Sequence, residues 1–208
     1  MEAEKVYRRI LRIANTVSVD LRQDIRSVGP LWLPDREDRG LAMFLARAVI
    51  GQQLSAKAAR SIWERIERMA REMPGGFSAL LREQHTERLQ ACGVSRNKIK
   101  ALVAINQARR NRLLERRRLI ALDHAQRSTE LIKIWGIGQW TCDMTSIFYF
   151  KDANVWPRGD TAVTKTLAKY LGDATPDEAS VSKVAEKFSP YRSILALYMW
   201  RIVDATPE

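Results

Sequence analysis

Hydrophobic residues recur every three or four positions along most of the chain. The spacing is typical of one face of an α-helix, and it is clear in the first segment at Val6, Ile10, Ile13 and Val17. It returns in the segment that starts at Leu41 and in the segment that starts at Ile62. We find no sustained alternation of the kind that predicts a β-strand. The pattern therefore predicts an all-α protein.

The same spacing predicts further helices along the rest of the chain. Their approximate ranges are 97–118, 129–134, 139–150, 161–171, 176–188 and 190–203. Ser95 and Ser189-Pro190 predict helix starts, because a serine oxygen can cap free N–H groups and proline suits a first turn. Turns are expected at Gly29-Pro30, 74–76 and 136–138, and a linker is expected from Gly29 to Arg39.

The charge balance narrows the choice of partner. The 208 residues include 35 Lys and Arg against 24 Asp and Glu, a net charge of +11. Such an excess favours a polyanionic partner, above all nucleic acid, although a well-solvated surface would explain it too. Six of the ten residues from Arg109 to Arg118 are arginines. That cluster could follow phosphates or could be a solvated helix end.

The cysteines, the histidines and the hydropathy of the chain argue against several classes of site and of protein. Cys92 and Cys142 are too few for a four-cysteine zinc or iron–sulfur site, and we expect both to be reduced core residues. His85 and His124 stand among polar residues, which predicts surface positions. No apolar run is long enough for a membrane span, and no signal peptide is recognisable at the start. We expect a cytoplasmic protein.

The most informative stretch is 131–143, LIKIWGIGQWTCD, where one predicted helix ends and another begins. Gly136 and Gly138 allow a tight turn and let a phosphate approach the peptide N–H groups. The following helix adds partial positive charge at its N-terminus. Alone, this turn would be weak evidence for phosphate binding, and an ordinary connection between two helices would be the better explanation.

Five islands in order resemble the helix-hairpin-helix DNA glycosylase superfamily, specifically its 3-methyladenine DNA glycosylase II branch. They are AVIGQQLSAKAA (48–59), GVSRNK (93–98), GIGQWT (136–141), WPRGDTAVTK (156–165) and PYRSILALYMW (190–200). The resemblance implies two helical lobes with a central cleft. The first lobe would be 39–140, ending in the hairpin, and the second 1–38 plus 141–208. The extra N-terminal domain of the best-known bacterial relatives is not expected.

The resemblance assigns catalysis to one carboxylate. In the superfamily an aspartate follows the hairpin by about twenty residues, and Asp160 stands twenty residues after Trp140. Judged from the sequence alone, Asp160 would be the N-cap of the next helix, and the two roles are compatible. A preorganised carboxylate stabilises the positive charge that develops on deoxyribose as the glycosidic bond breaks.

The resemblance also implies a base pocket and a monofunctional reaction. Members that cut the DNA strand carry a nucleophilic lysine where this chain has Trp140, so we expect base release by water and an abasic product. Trp140 and Trp200 match aromatic pocket positions, although core packing is the alternative for each. Met144 stands where relatives can carry an aromatic residue.

DNA contacts are assigned by the same resemblance. Phosphate contacts are expected at Gly136, Ile137, Gly138, Gln139, Thr141 and Lys165. A side chain that fills the gap left by the flipped base is expected among Gln53, Leu54 and Ser55, for which a buried turn with Ser55 as N-cap is the alternative. A Na⁺ or K⁺ ion could bind the main-chain carbonyls of Ile132, Ile134 and Gly136.

These expectations combine into one function with two alternatives. The chain is expected to excise alkylated purines, such as 3-methyladenine and 7-methylguanine, from damaged double-stranded DNA. We expect it to act as a monomer, without a cofactor for catalysis and without an iron–sulfur cluster. One alternative is a helix-hairpin-helix module that binds DNA without chemistry. The other is a glycosylase for a neutral lesion such as hypoxanthine or ethenoadenine.

Overall fold

The structure is a computed structural model that describes residues 2–34, 40–172 and 177–205. Helices joined by short turns make up these ranges, which contain no β-strand. The prediction of an all-α protein is confirmed. None of the described helices is both long and apolar enough to cross a lipid bilayer.

The chain divides into two compact units. One comprises Met1–Arg36 with Ser146–Glu208, and the other comprises Glu37–Thr145. The division after Thr145 falls inside one helix, α10, which runs over Gln139–Phe148. The lobes expected from the sequence, 39–140 and 1–38 plus 141–208, stay a prediction.

The unit formed by the two ends of the chain is built around a long C-terminal helix. Its helices are α1 (Glu2–Val17), α2 (Val19–Val28), α11 (Thr161–Ala168), α12 (Glu178–Glu186) and α13 (Arg192–Ala205). Tyr198 on α13 is fully buried, and its hydroxyl donates to the carbonyl of Gly29 at 2.8 Å. The same hydroxyl accepts the N–H of Leu31 at 3.2 Å. Residues 29–31, expected to be linker, are therefore fixed on α13.

The middle unit holds most of the short helices. They are α3 (Leu41–Gly51), α4 (Ala56–Arg71), α5 (Gly76–Leu80), a 3₁₀ turn (Glu83–His85), α6 (Thr86–Ala91), α7 (Arg96–Arg110), α8 (Arg116–Ile120), α9 (His124–Leu131) and the start of α10. A buried cluster that includes Ile50, Trp63, Ile66 and Leu102 joins α3, α4 and α7. Burial of such side chains contributes about 1.5–3 kcal/mol each.

Side-chain caps set several helix starts. Ser95 accepts the N–H of Lys98 and begins α7, which confirms the start predicted there. Asp123 forms a capping box with Gln126 at the start of α9. Each cap satisfies N–H groups that have no partner within the helix, and losing one costs about 0.5–2 kcal/mol.

Several of the predicted helices have different bounds in the structure. The helix expected over 97–118 ends at Arg110, and Arg112 then adopts a left-handed φ of 62°, which no helix can continue. The helix expected to start at Ser189-Pro190 begins at Arg192 instead, because residues 188–191 form a turn in which Tyr191 N–H donates to Phe188. The helix expected over 139–150 ends at Phe148.

Single-residue expectations have mixed outcomes. Cys92 and Cys142 are buried free thiols, as predicted. His124, predicted at the surface, is only 32% exposed and lies 3.1 Å from a buried carboxylate oxygen of Asp143. Pro176 and residues 35–39 of the predicted linker lie outside the described residues.

Candidate functional site

Asp160 lies at the start of α11, where its carboxylate is held by two donors. The Oδ1 atom accepts the backbone N–H of Val163 at 3.0 Å, so Asp160 is the N-cap of the helix. The indole N–H of Trp200 donates to the same oxygen at 3.4 Å. Asp160 is 9% exposed. The cap role expected from the sequence is therefore present, together with an indole contact that the sequence did not predict.

The loop that carries Asp160 is anchored to the first turn of α13. The buried hydroxyl of Ser193 donates to the carbonyl of Asp152 at 2.6 Å and accepts the N–H of Val155 at 2.9 Å. Arg192 donates to the carbonyl of Asn154 at 2.8 Å. Since α13 also carries Trp200, one helix positions both the loop before Asp160 and the indole that contacts it.

Trp200 is half-buried and lies against a second aromatic ring. Its ring centroid is 5.7 Å from that of Phe148, with the planes inclined by 31°. Such aromatic pairs add about 0.5–1.5 kcal/mol beyond their buried area. Trp200 thus has both packing and polar contacts, and its neighbour Phe148 was outside the predicted set.

The hairpin of the middle unit connects α9 to α10 through two glycines with different surroundings. Gly136 has a φ of 87°, and a Cβ placed on it would lie 2.4 Å from the Cβ of Ala101 on α7. Gly138 is exposed, and a Cβ placed there would meet nothing within 4 Å. Gly136 is therefore required for packing and backbone conformation, whereas Gly138 leaves open space in front of the main chain.

Two isoleucines of the hairpin are buried in the middle unit. Ile134 and Ile137 are 6% and 4% exposed, and Ile137 N–H donates to the Ile134 carbonyl. Ile132 is exposed. Ile137 therefore supports the turn through its buried side chain and its main-chain hydrogen bond, which does not favour the phosphate contact expected there.

The first turns of α10 separate exposed from buried side chains. Trp140 is 37% exposed, whereas Met144 is 7% and Thr141 is 1% exposed. The Gln139 amide donates to the buried carboxylate of Asp143 at 2.7 Å. The predicted phosphate contact of the Thr141 hydroxyl is not favoured by this burial.

The segment between α3 and α4 forms a projecting turn. Gln53 adopts a left-handed φ of 55°, and Leu54 is 39% exposed. Ser55 caps α4 by accepting the N–H of Ala58 at 3.2 Å. The turn is exposed rather than buried, which leaves the Gln53 and Leu54 side chains accessible.

Two residues outside the predicted set fix this turn. The Gln52 amide donates to the Thr141 hydroxyl at 3.2 Å and contacts the Gly136 carbonyl at 3.5 Å. The Lys98 ammonium donates to the carbonyls of Ile50 and Gln52. Both residues lie inside the islands that carry the family resemblance, but the sequence indicated no contacts for their side chains.

The predicted residues fall into two groups, one in each unit. The turn, the hairpin, Trp140 and Met144 belong to the middle unit, while Asp160, Lys165 and Trp200 belong to the other. Lys165 is exposed in the last turn of α11. Among the described residues, no cluster of three or more His, Cys, Asp or Glu side chains could hold a metal ion. The first group offers N–H donors at a helix start, and the second a fixed carboxylate.

Comparisons with known proteins give consistent relatives. The chain is 31% identical over 160 residues to DNA-3-methyladenine glycosylase 1 of Schizosaccharomyces pombe, a match that covers 76% of this chain and 70% of that protein. It is 25% identical over 207 residues to the alkylbase DNA glycosidase-like protein mag2 of the same organism, a match that covers 97% of this chain and 96% of that protein. No family model matches.

A solved structure agrees with these relatives. The 3-methyladenine DNA glycosylase Mag1 of S. pombe, in complex with abasic DNA, superimposes with a TM-score of 0.78 at 28% identity, over 94% of this chain and all of that chain.

Proposed function

Because this chain belongs to the helix-hairpin-helix DNA glycosylases of the 3-methyladenine type, we propose that it hydrolyses the N-glycosidic bond of alkylated purines in double-stranded DNA and leaves an abasic site. The substrates are 3-methyladenine and 7-methylguanine. The observation that carries the proposal is the Asp160 carboxylate, fixed by a backbone N–H and by the Trp200 indole.

Asp160 stabilises the transition state electrostatically. As the bond between the sugar and the base breaks, its electron pair leaves with the base and positive charge develops on the deoxyribose. A carboxylate that is already oriented needs no reorganisation at that moment, and groups of this kind are worth on the order of 10²–10³ in rate. The two donors to Oδ1 provide this orientation. Water then adds to the cationic carbon of the sugar and loses one proton to solvent, which leaves a hydroxyl group on the abasic site.

Base release requires no strong general acid for a cationic substrate. A purine alkylated at N3 or N7 carries a formal positive charge, so it leaves readily and is attracted to aromatic faces. Trp140, Trp200 and Met144 are the proposed pocket residues. Trp140 occupies the place of the strand-cutting lysine, so the enzyme forms no covalent intermediate with the sugar and does not cut the strand.

The hairpin holds a phosphate of the damaged strand. The first N–H groups of α10 have no partner within the helix, and the helix N-terminus carries partial positive charge. Gly138 leaves the approach open, since no side chain stands in front of it. The main-chain N–H groups of Gly136, Gly138 and Gln139, together with the exposed Lys165, are the proposed phosphate contacts.

Leu54 is the proposed side chain that enters the duplex when the base is flipped. It is exposed at the tip of the 52–55 turn, between the left-handed Gln53 and the N-cap Ser55. Flipping a base costs a few kcal/mol, and an apolar side chain in the gap offsets part of that cost.

The hairpin carbonyls are compatible with a structural Na⁺ or K⁺. The Ile134 carbonyl accepts one N–H and Gly136 accepts the Gln52 amide, so each keeps a second lone pair. With Ile132 they would hold the ion, which would neutralise part of the negative charge beside the bound phosphate.

The test is release of free base from defined oligonucleotides. Duplexes that contain 7-methylguanine, 3-methyladenine, hypoxanthine or ethenoadenine are incubated with the protein, and the freed bases are measured by chromatography. We expect release of the two alkylated purines, loss of activity on the order of 10²–10³ in Asp160→Asn, and no adduct trapped by borohydride. Full activity of Asp160→Asn would refute the role of Asp160. Tight DNA binding without any base release would identify the protein as a DNA-binding module. Release of hypoxanthine or ethenoadenine alone would show that the substrates are neutral lesions and not alkylated purines.

A further inference from the structure

Lys98 uses its charge on main-chain carbonyls of the middle unit. It lies in the first turn of α7, half-buried, and its ammonium donates to the carbonyl of Ile50 at 2.8 Å and to that of Gln52 at 2.7 Å. Ile50 lies in the last turn of α3 and Gln52 is its C-cap, at the end where a helix carries partial negative charge. Burial lowers the pKa of the Lys98 ammonium. The charge is thus used to bind the C-terminal end of another helix.

The turn that follows α3 has a backbone conformation that costs free energy. Gln53 has a left-handed φ of 55°, which for a residue with a side chain costs about 1–2 kcal/mol. The turn is closed by one bond along the chain, from Leu54 N–H to the Gly51 carbonyl at 3.3 Å. Because the turn is otherwise exposed, contacts with the rest of the unit must keep it in this conformation.

Lys98 and Gln52 supply these contacts from two sides. Lys98 binds the Gln52 carbonyl from α7, while the Gln52 side chain reaches Thr141 and the carbonyl of Gly136 in the hairpin. Residue 52 is therefore fixed through both its main chain and its side chain. The exposed Leu54 follows two residues later, so its direction depends on how firmly residue 52 is held.

We propose that Lys98 is a positioning residue that holds the 52–55 turn with Leu54 projecting, and thereby sets how well the protein opens a paired duplex. The inference rests on the proposed function, because it takes Leu54 to be the side chain that enters the DNA. Lys98 touches neither the base nor the sugar. Its effect is confined to the step in which the lesion leaves the stack.

The experiment compares one lesion in two contexts. Single-turnover release of 7-methylguanine is measured from a fully paired duplex and from a duplex in which the lesion lies in a bubble of unpaired bases. For Lys98→Met we expect about a tenfold greater loss on the paired duplex than on the bubble, which corresponds to about 1.4 kcal/mol. The bubble needs little flipping, so a defect in opening is largely bypassed there.

The matched control is Lys100→Met. Lys100 lies on the same helix, is exposed, and places its ammonium 4.3 Å from the Trp135 ring centroid rather than on the turn. Lys100→Met removes the same charge as Lys98→Met. For this control we expect the ratio of the rate on the paired duplex to the rate on the bubble to stay at the wild-type value. Equal ratios for Lys98→Met and Lys100→Met would overturn the proposal, since the effect would then be one of general charge.

A double variant tests whether Lys98 acts through Leu54. Residues that act through one another are not additive, so Lys98→Met combined with Leu54→Ala should lose no more on the paired duplex than Leu54→Ala alone. Full additivity of the two losses would refute the mechanism. If Lys98→Met fails to fold by circular dichroism, Lys98→Gln, which keeps an amide donor, is used in its place.

A fluorescence assay separates this inference from the proposed function. The assay uses a duplex in which 2-aminopurine lies next to an abasic analogue, opposite the site that the 52–55 turn would enter. The fluorescence of 2-aminopurine rises when the base beside the gap unstacks, and no bond is broken. If the wild-type protein releases no base yet brightens the probe, the proposed hydrolysis fails while Lys98 can still be tested. We expect Lys98→Met to reduce the signal at saturating protein, and a signal equal to wild type would contradict the inference.

Discussion

Replacing Gly136 with alanine should destabilise the protein much more than the same replacement at Gly138. The two glycines are two residues apart in one hairpin, yet their surroundings differ. An alanine at 136 must adopt a φ of 87° and would place its Cβ 2.4 Å from the Cβ of Ala101. An alanine at 138 meets nothing within 4 Å and has no left-handed φ to adopt.

The two penalties at Gly136 can be assigned separate magnitudes. A left-handed φ costs a non-glycine residue about 1–2 kcal/mol. Forcing an additional methyl group into a packed site costs about 1–3 kcal/mol, and Ala101 has little room to move because it is 2% exposed. The sum is about 2–5 kcal/mol, and in a chain of this size each kcal/mol lowers the Tm by about 2–4 °C.

Thermal unfolding followed by circular dichroism measures the difference. We expect Gly136→Ala to lower the Tm by roughly 4–20 °C and Gly138→Ala to change it by less than about 3 °C. Adding Ala101→Gly to Gly136→Ala removes the close contact but leaves the φ, so the double variant should recover part of the loss after allowing about 1 kcal/mol for glycine in a helix. A Tm for Gly136→Ala equal to that of Gly138→Ala would refute the packing argument.

Three further predictions concern single side chains. Asp160→Ala should lose about 0.5–2 kcal/mol of unfolding free energy in urea, because the cap is lost, whereas Asp160→Asn should lose much less. Burial raises the pKa of Tyr198 to about 12. The contribution of the Tyr198 hydroxyl to stability is therefore complete below pH 10 and declines as the pH rises to about 12. Between these pH values the unfolding free energy of Tyr198→Phe should fall less steeply than that of the wild-type protein. Burial likewise raises the pKa of Cys142 to about 12 and that of Cys92 above its usual value, so neither thiol should react with a chromogenic disulfide at pH 8 until the protein is unfolded. Rapid labelling of the native protein would contradict that burial.

The helical fold and the cap at Asp160 could be predicted from local sequence. Apolar residues at helical spacing are visible without any tertiary information, because a helix repeats every 3.6 residues. Ser95 and Asp160 are recognisable for a similar reason, since a cap bonds N–H groups only two or three residues away. Both kinds of signal depend on short separations along the chain.

The contacts of Lys98, Gln52 and His124 could not be predicted in this way. A lysine among polar residues looks like a solvated side chain, and only the packing of α3 against α7 brings carbonyls within its reach. The end of α7 at Arg110 was missed because the arginine-rich stretch after it has high helix propensity. The left-handed Arg112 that ends the helix leaves no sign in the sequence.

The cap bond of Asp160 has a consequence for how such an enzyme can evolve. Asparagine, serine and threonine can all accept the N–H of Val163, but none of them carries the negative charge that the proposed mechanism needs. A single substitution at this position could therefore abolish hydrolysis while leaving a stable fold and an intact DNA surface. A protein with such a substitution would still bind damaged DNA without cleaving the glycosidic bond, and it would differ from the enzyme at one residue.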